Sequence, residues 1–174
     1  AGGDYIYSTE RMIDLAGGNL KSKRGARSRF VREHPDARVE PIRDEHIDAC
    51  IDLLNRWRRT GDDRHEQQTA QTDADAEAIL TRILRQRETD ACEQALRHRD
   101  ELGLTGMTLL ADERVIGFTL GEPLTDQQAS ILFEKTDIDY DGAPQFIFSE
   151  FCRQSWSAYP QINEIGRASC RERV

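Results

Sequence analysis

The feature that most constrains this chain is a change of hydrophobic period at Gly103. From residue 44 to residue 102 apolar side chains recur every three or four positions, and from 108 to 136 they alternate. A period near 3.6 lays one stripe along a helix, whereas a period of two lays one face along a strand, so helix must give way to sheet there. Strands are predicted at 108–111, 114–121 and 129–136, joined by a turn at Asp112-Glu113 and by residues 123–127. Connections this short make an antiparallel meander.

Two helices are predicted upstream of the switch. The first, 44–59, buries Ile47, Cys50, Ile51, Leu54 and Trp57 on one face. The second, 76–102, carries Ile79, Leu80, Ile83, Leu84, Ala91, Ala95 and Leu96 as its buried stripe and stops at Gly103. Between them, 60–75 is polar and aperiodic and is predicted to be a mobile loop. Towards the N-terminus come a strand at 4–7, a helix capped by Ser8 or Thr9 and ended by Gly17-Gly18, a helical stretch at 20–33 halted before Pro35, and a strand at 37–42. After the meander, 142–158 is a helix with Phe146, Ile147, Phe151, Cys152 and Trp156 on its apolar side, and 161–163 opens one more strand.

A length of 174 residues suits one domain with its own core. Residues 1–36 are expected to be a linker or helical segment ending a preceding domain, 37–163 the main domain, and 164–174 a non-native tail. That tail, Glu164-Ile-Gly-Arg-Ala-Ser-Cys-Arg-Glu-Arg-Val174, has neither period nor cap and matches a translated sequencing adapter. With 37% hydrophobic and 32% charged residues, no apolar run approaches the roughly 20 residues that cross a bilayer. No secretory signal is visible, and a cytoplasmic location is expected. Cys50, Cys92, Cys152 and Cys170 are scattered without metal-ligand spacing, so neither a metal site nor a redox pair is predicted. His34, His46, His65 and His98 have no Ser or Cys partner in a recognisable setting, which leaves no triad to argue. A net charge of −8 argues against wholesale coating of nucleic acid but allows one basic patch.

Such a patch is present. Lys21, Lys23, Arg24, Arg27, Arg29 and Arg32 lie on one predicted helix with no acid from Leu20 to Arg32, and can hold phosphates of tRNA or of an anionic lipid head group; a solvated or internally paired face is the alternative. In the strand at 129–136, alternation puts Glu134 with Leu132 on one face and Lys135 with Phe133 on the other, so one charge must point inward or into a cleft. A carboxylate so placed can act as a base and an ammonium can bind an anion, while a structural ion pair is the plainer outcome. Glu122 ends the preceding strand.

The order strand, helix, helix, three antiparallel strands, helix, strand is similar to the front half of the N-acetyltransferase-like (GNAT) α/β fold, a mixed and mainly antiparallel sheet flanked by helices. Several strings sharpen the likeness: Leu20-Lys-Ser-Lys-Arg-Gly-Ala-Arg-Ser-Arg-Phe30, Ile116-Gly-Phe-Thr-Leu-Gly-Glu-Pro-Leu124, Phe133-Glu-Lys-Thr-Asp137, and 145–151 leading to Tyr159-Pro-Gln-Ile-Asn163. Up to Asn163 the chain resembles the C-terminal domain family of phosphatidylglycerol lysyltransferases, lacking that fold's last strands.

The resemblance implies an aminoacyl or acyl transfer to a hydroxyl or amine acceptor, with aminoacyl-tRNA or an acyl-CoA as donor and no metal or resident cofactor. The catalytic candidates are Glu134 and Glu122, and the substrate-binding ones Lys21, Lys23, Arg24, Arg27, Lys135, Gly142 and Asn163. A non-catalytic binding domain and a small-molecule N-acetyltransferase are the alternatives. Asp141-Gly142-Ala143-Pro144 precedes the last helix with one glycine, where coenzyme-A-binding members carry a richer loop; Pro144 removes an amide that would cradle a pyrophosphate. Without the closing strands, the chain as given is expected to be inactive and marginally stable.

Overall fold

The structure is a computed structural model that describes residues 5–68 and 74–164, with side chains described for 5–60 and 79–164. Its elements run β1 Tyr5–Ser8, α1 Thr9–Asp14, α2 Lys21–Glu33, β2 Arg38–Pro41, α3 Ile47–Gln68, α4 Ala74–Arg97, β3 Thr105–Ala111, β4 Arg114–Pro123, β5 Gln128–Thr136, α5 Ala143–Ser155 and β6 Gln161–Glu164. The six strands form one sheet in the order β1-β6-β5-β4-β3-β2. Four neighbouring pairs are antiparallel and one, β5 with β6, is parallel. This is the mixed, mainly antiparallel α/β architecture expected from the sequence.

The meander forms where the alternation placed it. At its first turn Asp112 and Glu113 both adopt left-handed backbone, φ 51° and 58°, the mirror-type turn whose twist matches flanking strands. The Asp112 amide donates to Asp36 Oδ2 at 2.7 Å. Gly103, at φ 66°, closes the turns after α4 as predicted.

Apolar stripes cover both faces of the sheet. Ile47, Cys50, Ile51, Leu53 and Leu54 of α3 and Cys92, Ala95 and Leu96 of α4 pack with Ile42, Phe118 and Leu120 on one face. On the other, Met12, Leu15, Leu20 and Phe30 from α1, α2 and their connections, with Ile147, Phe151 and Cys152 of α5, pack over Met107, Leu109, Ile131 and Ile162. Trp57, expected inward, is half-buried.

Four expectations need correction. The segment read as the end of something preceding is built into this sheet: β1 lies beside β6, with Tyr5 opposite Glu164 and Ser8 opposite Gln161. Helix α3 continues to Gln68 through residues predicted as loop, since Arg, Gln and Glu are good helix formers without any apolar stripe; the rest of that predicted loop, 69–73, lies outside the described residues. In α4 the expected buried stripe divides. Ala95 and Leu96 are buried, but Ile79, Leu80, Ile83 and Leu84 are 58%, 55%, 45% and 56% exposed, and Ala91 is exposed too. Only the C-terminal half of α4 packs against the sheet; periodicity shows that a helix has an apolar side and not what covers it. Of the predicted tail 164–174, Glu164 is instead the last residue of β6, and 165 onward lies outside the described residues.

Candidate active site

Strand β5 organises the polar interior. It pairs with β6 in parallel only from Gln128 opposite Gln161 to Ile131 opposite Glu164, and then continues alone on that side, among the described residues, to Thr136. At the same level its pairing with β4 slips between Leu120 and Gly121. The irregularity demands glycine, because a Cβ on Gly121 would lie 2.4 Å from the Ser130 carbonyl oxygen. Bulges of this kind re-aim side chains and are common beside sites.

The two charges at the end of β5 part company as alternation required. Lys135 turns to the α3/α4 face, only 4% exposed. Its Nζ donates to Glu88 Oε1 at 2.7 Å and sits 3.8 Å from the centre of the Trp57 ring, so its charge is met from within the protein. Glu134 turns to the α5 face. There the Cys152 thiol is pushed up from its ordinary range, first by burial and then by the nearby Glu134 and Glu164 carboxylates. Carboxylates from β5 and β6 therefore flank the place where the two strands stop pairing.

A second polar group crosses the sheet. Glu122 of β4 is opposite Ser130 of β5, and Ser130 is the register partner of Asn163 of β6. Register partners share a sheet face, so these three form one row. Glu122 is half-buried, while Ser130 and Asn163 are buried, and Ser130 Oγ and Asn163 Oδ1 have no hydrogen-bond partner among the described residues. Nothing in the sequence marked Ser130, whose place depends on the β4–β5–β6 register.

The basic helix is largely engaged in structure. Arg24 Nη1 donates to the Leu15 carbonyl at 2.5 Å. Arg27 Nη1 donates to the Ile13 carbonyl at 3.1 Å, and its other amine lies 3.5 Å from Glu150. Both satisfy carbonyls at the C-terminal end of α1, where Leu15 turns left-handed. Burial, and secondarily the neighbouring Arg153, lower the Arg27 pKa against the opposing pull of Glu150 and Asp14. Arg29 pairs with Asp141 at 2.8 Å, whereas Lys21 is exposed and Lys23 half-buried. The basic helix and the Glu122–Ser130–Asn163 row lie on different elements, and no contact joins them among the described residues.

Gly142 has a packing reason. It is buried, its φ is 84°, and a Cβ there would lie 2.3 Å from the Ala26 carbonyl oxygen of α2. The start of α5, where a pyrophosphate cradle would need room, is closed by α2 backbone. Among the described residues no group of three or more His, Cys, Asp and Glu is placed to hold a metal ion, and no helix is long and apolar enough to cross a membrane.

A mainly antiparallel sheet with one parallel pair and helices on both faces defines a mixed α/β domain. The chain belongs to the family of phosphatidylglycerol lysyltransferase C-terminal domains, which it matches over residues 1–172. Among solved structures it is similar to a conserved protein of unknown function from Bacteroides thetaiotaomicron, at 29% identity and TM-score 0.69 over 92% of this chain and 49% of that one. It is also similar to L-PGS from Bacillus licheniformis, at 12% identity and TM-score 0.55 over 94% and 46%. A third is the C-terminal domain of a protein designated a lysylphosphatidylglycerol synthetase from Agrobacterium fabrum, at 17% identity and TM-score 0.51 over 93% and 45%. The chain thus spans about half the length of each. No curated protein matches it.

Proposed function

We propose that this chain forms part of an aminoacyl transferase that passes an aminoacyl group from a tRNA ester to the hydroxyl of an anionic glycerolipid. The observation that carries the reading is Glu134, set on β5 where β6 stops pairing, in a chain of the lysyltransferase family. In this mechanism the acceptor hydroxyl oxygen attacks the ester carbonyl while Glu134 takes its proton. The tetrahedral intermediate then collapses, breaking the bond to the tRNA ribose oxygen, which leaves with that proton. Glu122, Ser130 and Asn163 alternate with Ile131 and Ile162, which pack under α5, so their row faces the other side of the sheet from Glu134 and takes no part in this step. Lys21 and Lys23 are basic-helix side chains that can meet tRNA phosphates.

Lysyl transfer from lysyl-tRNA to phosphatidylglycerol vesicles, run on the transferase of which this chain forms part, is the direct assay. Glu134→Gln should lower turnover by about 10²-fold or more with the fold retained, and an unchanged rate would remove Glu134 from the mechanism. The packing of Gly142 on Ala26 favours a donor other than coenzyme A. Acetyl-CoA should therefore leave the melting temperature unmoved, and a clear stabilisation would turn the reading towards a small-molecule acetyltransferase.

A further inference from the structure

We propose that the row Glu122, Ser130 and Asn163 binds the ammonium group of a small aliphatic amine, at a site separate from the face that carries Glu134. The apolar cover supplied by α3 and α4 ends at Leu120 and Phe133. One alternation further along β4 stands Glu122, opposite Ser130, which is itself beside Asn163. Ser130 is 0% exposed and Asn163 5%, yet Ser130 Oγ and Asn163 Oδ1 have no hydrogen-bond partner among the described residues. Each such group has given up its bonds to water and gained none in return, so two side by side call for an explanation. A ligand that supplies the missing donors removes that cost.

The chemistry of the row selects the ligand. A carboxylate, a hydroxyl and an amide oxygen are all acceptors, and a primary ammonium is one cation with three N–H donors. Register partners on adjacent strands stand about 5 Å apart, so a cation over Ser130, the middle member, is within reach of both flanking side chains. No base on the strands takes that place. Lys and Arg are absent from 5–10, 100–113, 115–134 and 154–163, the stretches that hold β1, β3, β4 after Arg114, β5 up to Glu134 and β6 up to Asn163; all but the last carry acids. Lys135, on the same face, is held by Glu88. Arg43 before α3 is held by Glu40 and Glu45, and Arg99 after α4 by Asp44. On α3 no Lys or Arg precedes Arg56, which is held by Asp137.

The row ends on an apolar side chain. Ile6 of β1 is opposite Asn163 and is 55% exposed, so an aliphatic stem can lie on it while the ammonium sits over Ser130. Glu122, half-buried, is the member that water already reaches, and it marks the way in. A quaternary ammonium carries the charge without N–H donors, and an alcohol offers one donor without the charge; neither answers the whole row. Because the row and Glu134 look to opposite sides of the sheet, the inference does not depend on the transfer reaction.

The experiment is a titration of the 174-residue chain with butylammonium chloride, followed through its backbone amide resonances by NMR, with tetramethylammonium chloride and butanol as matched probes. Saturable shifts are expected at Ile6, Glu122, Ser130 and Asn163, with butylammonium bound about tenfold or more tightly than either control. Glu122→Gln keeps the shape and removes the charge, and should weaken binding about tenfold or more. Ser130→Ala should weaken it as well while raising the melting temperature by about 2–4 °C, because it removes a buried hydroxyl that has no partner. The absence of saturable shifts at the row, tetramethylammonium binding as tightly as butylammonium, or Glu122→Gln binding like wild type overturns the proposal. So does a fall in melting temperature on Ser130→Ala, which would show that a buried water already satisfies the hydroxyl.

Discussion

Lys135 and Glu88 form a 2.7 Å ion pair between β5 and α4 in which the lysine is 4% exposed and the glutamate 35%. The two partners are not equivalent. Removing Glu88 takes a carboxylate from a buried ammonium that keeps the Trp57 face, whereas removing Lys135 leaves a carboxylate that can reach water. Breaking a buried pair costs about 3–5 kcal/mol when a charge is stranded, and the Trp57 face offsets about 1 kcal/mol of that. Glu88→Ala should therefore destabilise by about 2–4 kcal/mol, and Lys135→Met, which keeps the apolar stem, by about 1 kcal/mol or less. Urea midpoints give the order directly, and equal losses would mean that desolvation of Lys135 is not the controlling term.

Gly142 and Gly25 make opposite predictions. At Gly142 a methyl group meets the Ala26 carbonyl oxygen at 2.3 Å and the backbone is left-handed, so Gly142→Ala should cost about 2 kcal/mol or more. At Gly25, inside α2, a Cβ meets nothing within 4 Å. Gly25→Ala should raise stability by about 0.5–1 kcal/mol from helix propensity. Thermal melts of both variants check the pair, and the α2–α5 contact is misassigned if Gly142→Ala melts like wild type.

The basic helix divides in a way that stability measurements can see. Arg27 and Arg153 both donate to the Ile13 carbonyl, at 3.1 and 3.2 Å, while Arg24 reaches Leu15 and Gly17. Arg24→Met should cost about 1–2 kcal/mol, and Arg27→Met somewhat less because Arg153 remains on the same oxygen. Lys21→Gln and Lys23→Gln should leave denaturation midpoints within about 0.5 kcal/mol of wild type. They are therefore the substitutions to use when salt-dependent tRNA binding is measured. A loss of stability from the lysines equal to that from Arg24 would erase the distinction.

Much of this was legible in the sequence, and the gaps have physical causes. Alternation from Thr108 to Thr136 located three strands, and it separated Glu134 from Lys135 before any coordinates did. The mutual position of Glu122, Ser130 and Asn163 was not legible, because it arises from register between strands brought together across more than thirty residues of chain. Tyr5 opposite Glu164 is the extreme case: a short apolar strand near one end gives no local sign of a partner near the other. Arg24 and Arg27 misled for a related reason, since a run of like charges shows a basic helix and not the carbonyls it caps. The stripe Ile79, Leu80, Ile83, Leu84 has the spacing of a buried face, but burial depends on what lies opposite.

The buried thiols predict how stability responds to alkali. Cys50 and Cys92 are both 0% exposed, and burial pushes each thiol up to about 12; Cys152 is raised too, by burial and then by Glu134 and Glu164. Each folded-state pKa thus lies above its unfolded value, so the folded chain holds protons that the unfolded chain gives up once the pH passes about 8.5–9. The stabilisation is complete below that range and falls as pH rises through it towards the folded pKa, by about 1–2 kcal/mol per thiol at pH 10. Urea midpoints at pH 8 and pH 10 should show the decline, and Cys50→Ala and Cys92→Ala should each make it shallower whatever they do to absolute stability. Lysine and tyrosine titrate nearby, so the difference in slope between wild type and variant is the quantity to read. Parallel slopes in all three proteins would mean that the thiols ionise as readily in the folded chain as in the unfolded one.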